Sequence, residues 1–378
     1  MKEIKFNIPL KLAKSTENVK KFLAKKSPLH GPGENIYAIK NEVRKKFKFK
    51  NVYLTNSCTS ALEIAALAIN LNKNDEVIVP SFAFITSASS FARTGCKIRF
   101  CDIQENNLMP SFRQIVQRVN KKTKAIIIMH YQGYSVNFLS DLKKFCNKKK
   151  IFLIEDAAQA FGSYYKNKAL GSFGDFACFS FHETKNIHSG SGGMLVVNNK
   201  KFIEKTNAIF DKGTNRYLME KNKIKYYSWV TIGSAFLMSE LSASYLLPQI
   251  ISYKKIFYER SKIYLNYLEK LKVISNGNFT LTNCFKYKYN YHAFVIILKK
   301  NEREKFLKYL NKFNIKAVIS YTELHKSKKG KTYFKKLDKL INTEFYVKRI
   351  VRLPLHNYLS STEVNYISSK IKNYFSLI

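Results

Sequence analysis

The sequence predicts an α/β protein, with a large domain built on a mostly parallel sheet covered by helices on both faces, followed by a smaller α+β domain. Two observations carry this expectation. Short apolar, β-branched runs recur through the first half of the chain and alternate with helical segments: 52–55, 76–80, 97–102, 125–130, 151–154, 177–181 and 193–197. Runs so continuously apolar fit strands buried on both faces, as parallel sheets require. The length, 378 residues, also exceeds what one core usually sustains. A long helical pattern from about Ser252 (Ile256, Tyr258, Ile263, Tyr264, Tyr267, Leu268, Leu271) marks the division, giving domains at 1–250 and 251–378.

Taken in order, a helical pattern spans Ser15–Lys26, and Gly31-Pro32-Gly33 makes a tight loop ahead of a second helix at Asn35–Lys48. After the strand at Val52–Thr55, Asn56-Ser57-Cys58-Thr59-Ser60 leads into a helical segment. Hydroxyl residues at a helix start cap free amides, and those amides with the macrodipole favour a phosphate. The strand at Glu76–Pro80 precedes a helix ending at Arg93. Lys97–Asp102 and Ala125–His130 flank a helix at Ser111–Val119. Ile151–Ile154 then delivers Glu155 and Asp156 to a strand's carboxyl end, where open α/β sheets place ligands.

Ala177–Phe181 leads into His182-Glu183-Thr184-Lys185-Asn186 and then Gly190-Ser191-Gly192-Gly193. A lysine between a strand end and a glycine-rich loop is placed to form a Schiff base. Paired with an aspartate that can hold a cationic nitrogen, it suits pyridoxal phosphate chemistry. Gly193–Val197 continues the sheet, and Lys200–Phe210 is helical. The small domain reads as strands at Tyr289–Leu298, Ala317–Tyr321 and Val351–Leu355, with helices at Glu302–Lys312, Asn342–Lys348 and Ser361–Phe375.

Composition narrows the class. The net charge of +40 invites a nucleic-acid reading, but the densest basic clusters, Arg44–Lys50, Lys143–Lys150 and Lys326–Lys336, fall in separate thirds of the chain. No nucleic-acid partner is expected; an attraction to anionic ligands is. Cys58, Cys96, Cys101, Cys146, Cys178 and Cys284 show neither a C-x-x-C pair nor regular spacing, so no disulfide framework or metal site is expected and a reducing cytoplasm is. No apolar run reaches the roughly 18 residues of a membrane span. Walker, H-E-x-x-H and helix-initiating G-x-G-x-x-G signatures are missing.

Asp156-Ala157-Ala158-Gln159 with Ser180-Phe181-His182-Glu183-Thr184-Lys185-Asn186 resembles the active-site signature of the DegT/DnrJ/StrS sugar aminotransferases, and the likeness spans nearly the whole chain. The resemblance implies a pyridoxal phosphate-dependent transferase of fold type I, aspartate aminotransferase-like, working as a homodimer with its site at the subunit interface. It implies that Lys185 carries the cofactor, Asp156 faces its ring nitrogen and Gln159 lies near the ring oxygen. It further implies that Phe84 covers one ring face, and that Thr59, Ser60 and Ser180 bind the phosphate. Asn215 would contact a neighbour's cofactor; Gly31, Arg216, Tyr321, His325 and His356 would meet the substrate.

The implied reaction is amination of a nucleotide-linked 4-keto-6-deoxyhexose, dTDP being the expected nucleotide, with glutamate as donor and a surface glycan as destination. Amination at the 3-position is the competing reaction; the Ser-Phe-His-Glu-Thr-Lys-Asn wording argues for the 4-position. Dehydratases of the family carry histidine where Lys185 stands. A non-catalytic basic protein on the same fold is opposed by the joint presence of Asp156, Gln159, Ser180 and Lys185. Two positions depart from the family: Ser191 replaces a common glutamate, and Leu237 a common asparagine, so those groups' roles are lost or supplied elsewhere.

Overall fold

The predicted apolar runs form one sheet in the computed structural model, which describes residues 2–104, 107–282, 287–334 and 339–376. Cys284 and the last two lysines of the Lys326–Lys336 cluster lie outside the described residues. The strands are β1 (Val52–Thr55), β2 (Glu76–Pro80), β3 (Lys97–Cys101), β4 (Thr123–Met129) and β5 (Phe152–Asp156). A two-residue-per-strand hairpin follows, β6 (Tyr164–Tyr165) and β7 (Lys168–Ala169), and then β8 (Phe176–Ser180) and β9 (Gly193–Val197) complete the sheet. The order is β1-β9-β8-β5-β4-β2-β3, parallel from β8 to β3, with β9 antiparallel to both neighbours.

The reversal at β9 goes with a connection that carries no helix. The stretch from Phe181 to Gly192 folds back on itself through backbone hydrogen bonds, and the strand returns antiparallel. That return holds Lys185 at the carboxyl end of β8, beside the end of β5, where Asp156 is level with Cys178. Gly193, the first residue of β9, admits the approach. A Cβ there would stand 2.3 Å from the Ser57 carbonyl carbon and 2.5 Å from the Cys58 nitrogen.

Helices α1 (Ala13–Ala24), α2 (Glu34–Phe47), α3 (Cys58–Ala68), α4 (Thr86–Ala92), α5 (Phe112–Val116), α6 (Leu139–Lys148), α7 (Ile203–Phe210) and α8 (Arg216–Met219) belong to the first part of the chain. Ser57 caps α3 and Ser111 makes a capping box on α5, as their sequences favour. Helix α9 (Glu240–Ile274) starts a full twelve residues before the expected Ser252, so the 250/251 boundary falls inside one continuous helix. Pro248 disguises this start, since proline usually breaks a helix interior. Here packing against α1 and α2 maintains it. Buried Glu240 in its first turn accepts the Gly33, Ile36 and Asn35 amides at 2.8–3.0 Å, capping α2 and seating the Gly31-Pro32-Gly33 loop.

The small sheet is antiparallel: β10 (Phe279–Leu281), β11 (Phe294–Leu298) and β12 (Ile350–Leu353), flanked by α10 (Arg303–Lys312), α11 (Ile341–Val347) and α12 (Ser361–Ser376). Two expectations are corrected here. Residues 289–293 are not strand, because Asn290 turns to the large sheet and donates to the Gln159 and Phe161 carbonyls at 2.8 and 3.0 Å. Ala317–Tyr321 is not a strand either. Val318 bridges Arg352, while Ile315 pairs instead with Ile4 of the N-terminal segment.

Candidate active site

Asp156 ends β5 and is buried. The Ser87 hydroxyl of α4 donates to its Oδ2 at 2.5 Å and the Ala158 amide to its Oδ1 at 3.1 Å, fixing the plane of the carboxylate. The carboxylate lines a cavity of about 370 Å³ with Lys185, Thr59, Phe84, Gln159, Ser180 and Tyr321. That volume lies in the range of small-ligand sites, roughly 300–1,000 Å³.

Lys185 stands in a loop laced by its own backbone: Glu183 N–H to the Gly190 carbonyl and Phe181 N–H to that of Gly192, both at 2.8 Å. Its neighbour Asn186 anchors the turn, donating to the Asn290 carbonyl at 2.6 Å and pairing with His292 Nδ1 at 3.0 Å. Burial, reinforced by the Arg352 charge, brings the Lys185 amine down to about 8 against the upward pull of Asp156. A substantial neutral fraction near pH 8 is what a nucleophilic or proton-accepting amine needs. His292 is pushed well below the usual range by burial and then by the charges of Lys185, Arg352 and Arg260, and is neutral. Burial, then Asp156, raises the Cys58 thiol, so it too is uncharged.

At the cavity's other end, Ser57 Oγ accepts the Ser60 amide at 3.0 Å at the start of α3. Thr59 and Ser180 line the cavity there; Ser60 instead turns its hydroxyl to Ser57 and Asn56. Ser191 donates to the Asn56 carbonyl at 3.1 Å, tying the glycine-rich loop to the same segment. These residues fit pyridoxal phosphate. The amine and carboxylate would hold its aldehyde carbon and ring nitrogen, and the helix amides with Thr59 and Ser180 its phosphate.

Other expected positions are distributed as follows. Phe84 is half exposed at the cavity with its ring 6.2 Å from that of Tyr321. The Gln159 side chain is engaged on both atoms, its Oε1 by the Gln132 amide at 2.6 Å and its Nε2 by the Tyr321 hydroxyl. Gly31, Arg216 and Leu237 line a separate cavity of about 550 Å³ with Lys40 and Glu220. Asn215 precedes α8, its Oδ1 accepting the Ser228 amide at 2.7 Å.

Neither His325 nor His356 lines the cavity of Asp156 and Lys185. His325, fully buried, bridges Ser81 Oγ (2.6 Å) and Glu344 Oε1 (3.2 Å), fastening the Tyr321–His325 loop to the end of β2. His356 is buried beyond β12, where burial and the Arg260 charge push it to about 4. Conversely, Arg352, His292 and Phe6 line the cavity without any motif having marked them. Their one sequence signal is a charged residue inside an otherwise apolar strand, Val351-Arg352-Leu353.

An α/β sheet presenting a buried lysine of lowered pKa in one cavity with a strand-end carboxylate, beside a capped helix, fits a pyridoxal phosphate-dependent enzyme. Residues 11–372 match the DegT/DnrJ/EryC1/StrS aminotransferase family, and the chain belongs to it. GDP-perosamine synthase of Vibrio cholerae is 28% identical over 356 residues, 92% of each protein. Among solved structures, Helicobacter pylori PseC, an aminotransferase involved in the biosynthesis of pseudoaminic acid, superimposes with a TM-score of 0.90 at 24% identity over 100% of both chains. The PLP form of Spr1654 from Streptococcus pneumoniae does so with a TM-score of 0.90 at 22% identity over 99% of both. Pyridoxal phosphate is accordingly the cofactor of this protein.

Proposed function

We propose that the protein aminates a nucleotide-linked 4-keto-6-deoxyhexose with glutamate as donor, in the manner of dTDP-4-amino-4,6-dideoxygalactose transaminase, supplying an amino sugar for a surface glycan in the cytoplasm. The observation that carries this reading is the Lys185 amine, lowered to about 8 in the same cavity as the Asp156 carboxylate. The bound cofactor supplies an electron sink for the carbanion formed at the reacting carbon.

The remaining work falls to the chain. Neutral Lys185 Nζ takes the proton from the donor's α-carbon and later returns a proton to the sugar carbon. Asp156, held by Ser87 and Ala158, keeps a negative charge against the cofactor's ring nitrogen. Phe84 limits one face of the cavity. A homodimer is supported by the exposed apolar stretch Tyr226–Ile232, where Trp229 is 78% exposed beside Arg216 and Asn215. The named relative's GDP sugar keeps the nucleotide open to test.

Purified protein would be incubated with cofactor, glutamate and either dTDP- or GDP-linked 4-keto-6-deoxyhexose, and the aminated carbon assigned by NMR. Amine at carbon 4 with one of the two nucleotides is expected. Amine at carbon 3, or dehydration instead of amination, overturns the reading.

A further inference from the structure

Residues 289–293 reach from the small domain to the large sheet and are held there on both sides. The backbone amide of Asn290 donates to Ser163 Oγ at 3.1 Å, and its side chain to the Gln159 and Phe161 carbonyls. From α9, Arg260 grips the carbonyls of Tyr291 and His292 at 2.6 and 2.8 Å. His292, only 4% exposed, is thereby set against the loop that carries Lys185.

The hydrogen bonds around this ring fix its tautomer. Asn186 gives its side-chain N–H to the Asn290 carbonyl, so the atom 3.0 Å from His292 Nδ1 is the amide oxygen, and Nδ1 carries the proton. Nε2 is left with a bare lone pair and makes no hydrogen bond among the described residues. Burial, then the charges of Lys185, Arg352 and Arg260, keep the ring from taking a second proton. A buried acceptor without a donor is costly, so the lone pair marks a place for an N–H or O–H.

Lys185 is the donor within reach. The two residues line the main cavity and also share a side cavity of about 10 Å³, room for one water molecule, with Ser180, Asn186 and Gln159. The side chains of Asn186 and Gln159 are already spent on other partners. The Lys185 amine makes no hydrogen bond or ion pair among the described residues, and its charge leads those acting on His292.

We propose that His292 is a positioning residue for Lys185: its Nε2 accepts a hydrogen bond from the Lys185 amine across the side cavity, and so turns that amine's lone pair towards the reacting carbon whenever the lysine is free of the cofactor. The effect on turnover rests on the aminotransferase reading above; the contact itself belongs to the chain alone.

Two substitutions separate the two ring nitrogens. His292→Asn keeps a donor near the Nδ1 position for Asn186 and removes the acceptor, whereas His292→Gln places its amide oxygen near Nε2 and gives up the Nδ1 bond. In cofactor-free protein, labelling of Lys185 by acetic anhydride, measured on its peptide by mass spectrometry across pH, reads the midpoint of the amine. A hydrogen bond to the ammonium favours it, so His292→Asn should lower that midpoint from about 8 by about one unit, with His292→Gln near wild type. In cofactor-loaded protein, the single-turnover rate with saturating L-glutamate should fall roughly 10–100-fold in His292→Asn, with half-saturation within about 2-fold of wild type and partial recovery in His292→Gln. A wild-type midpoint and rate in His292→Asn, with the loss falling on His292→Gln, would make His292 a fastener for Asn186 and overturn the proposal. If both variants are slow, a midpoint lowered in His292→Asn upholds the contact and an unmoved one overturns it. Wild-type protein that neither holds the cofactor nor responds to glutamate would instead sink the aminotransferase reading, and the labelling midpoint would still decide the contact.

Discussion

Glu155 and Asp156 are consecutive acids at the end of one strand, 0% and 3% exposed, and they do different work. Side chains alternate across a strand, so the two carboxylates point to opposite faces of the sheet. Glu155 meets His130 Nε2 at 2.9 Å and the amides of Gly171, Phe173 and Gly174 at 2.8, 2.7 and 2.6 Å. Its acceptor capacity is spent on holding the loop before β8 in place. Asp156 has two partners and opens on the cavity. Burial and charge are thus shared by the structural acid and the reactive one; what separates them is the capacity left over for a ligand.

The comparison can be broken most forcefully through the amine that Asp156 accompanies. Lys185→Ala should lower turnover by roughly 10⁴-fold or more, since it removes both attachment and proton transfer. Borohydride trapping followed by mass spectrometry should then find no cofactor mass on the peptide around position 185. Asp156→Asn should cost roughly 10²–10³-fold in turnover, with its urea midpoint near wild type. Glu155→Gln should do the reverse, losing about 3 kcal/mol of stability while retaining the cofactor's visible band. Early unfolding of Asp156→Asn together with an inactive but stable Glu155→Gln would exchange the two roles.

The pH dependence of stability sharpens the contrast further. Burial opposes ionisation of Glu155, but the His130 bond and charge and the Gly174 and Gly171 amides outweigh it, and the carboxyl titrates below 4.5. A lowered acid contributes stability that is complete above its unfolded value and lost as pH falls through the folded one. The stability gap between wild type and Glu155→Gln should therefore be full at neutral pH and close in acid. Lys185 changes with pH in the same direction but in an alkaline window. Its unfolded form holds the proton more tightly than the folded form, so cofactor-free wild type should gain stability relative to Lys185→Met as pH rises from about 8 towards 10.5. Paired urea titrations across pH would read both. The smallest effect expected is for His325→Ala, about 1–2 kcal/mol from the orphaned Ser81 and Glu344 contacts, with glutamate KM unchanged.

The site was legible to the extent that its residues are near one another in sequence or mark an element's end. Asp156 follows an apolar run, Lys185 precedes a glycine-rich turn, and the hydroxyls at Ser57–Ser60 announce a helix start. His325 looked like a substrate residue because it lies in a loop that approaches the site; its neighbours Ser81 and Glu344, which turn it into a fastener, are distant in the chain. Arg352 and Phe6 escaped notice for the same reason, one from a C-terminal strand and one from the N-terminal segment, meeting only when the small domain is assembled. The expected strand at Ala317–Tyr321 failed because its edge is shared between Ile4 and Arg352 rather than taken by one partner strand.

By itself the sequence determined the alternation of buried strands and helices, the cap of α3 and the placement of an acid and an amine at strand ends, because apolar period, capping and turn chemistry act over a few neighbouring residues. The tertiary structure alone decided how Glu155 and Asp156 are partnered, how far the Lys185 amine is lowered, and that Arg352 and Phe6 come to line the cavity. Those properties depend on desolvation and pairing by segments far apart in the chain, and such groups acquire them only once packed together.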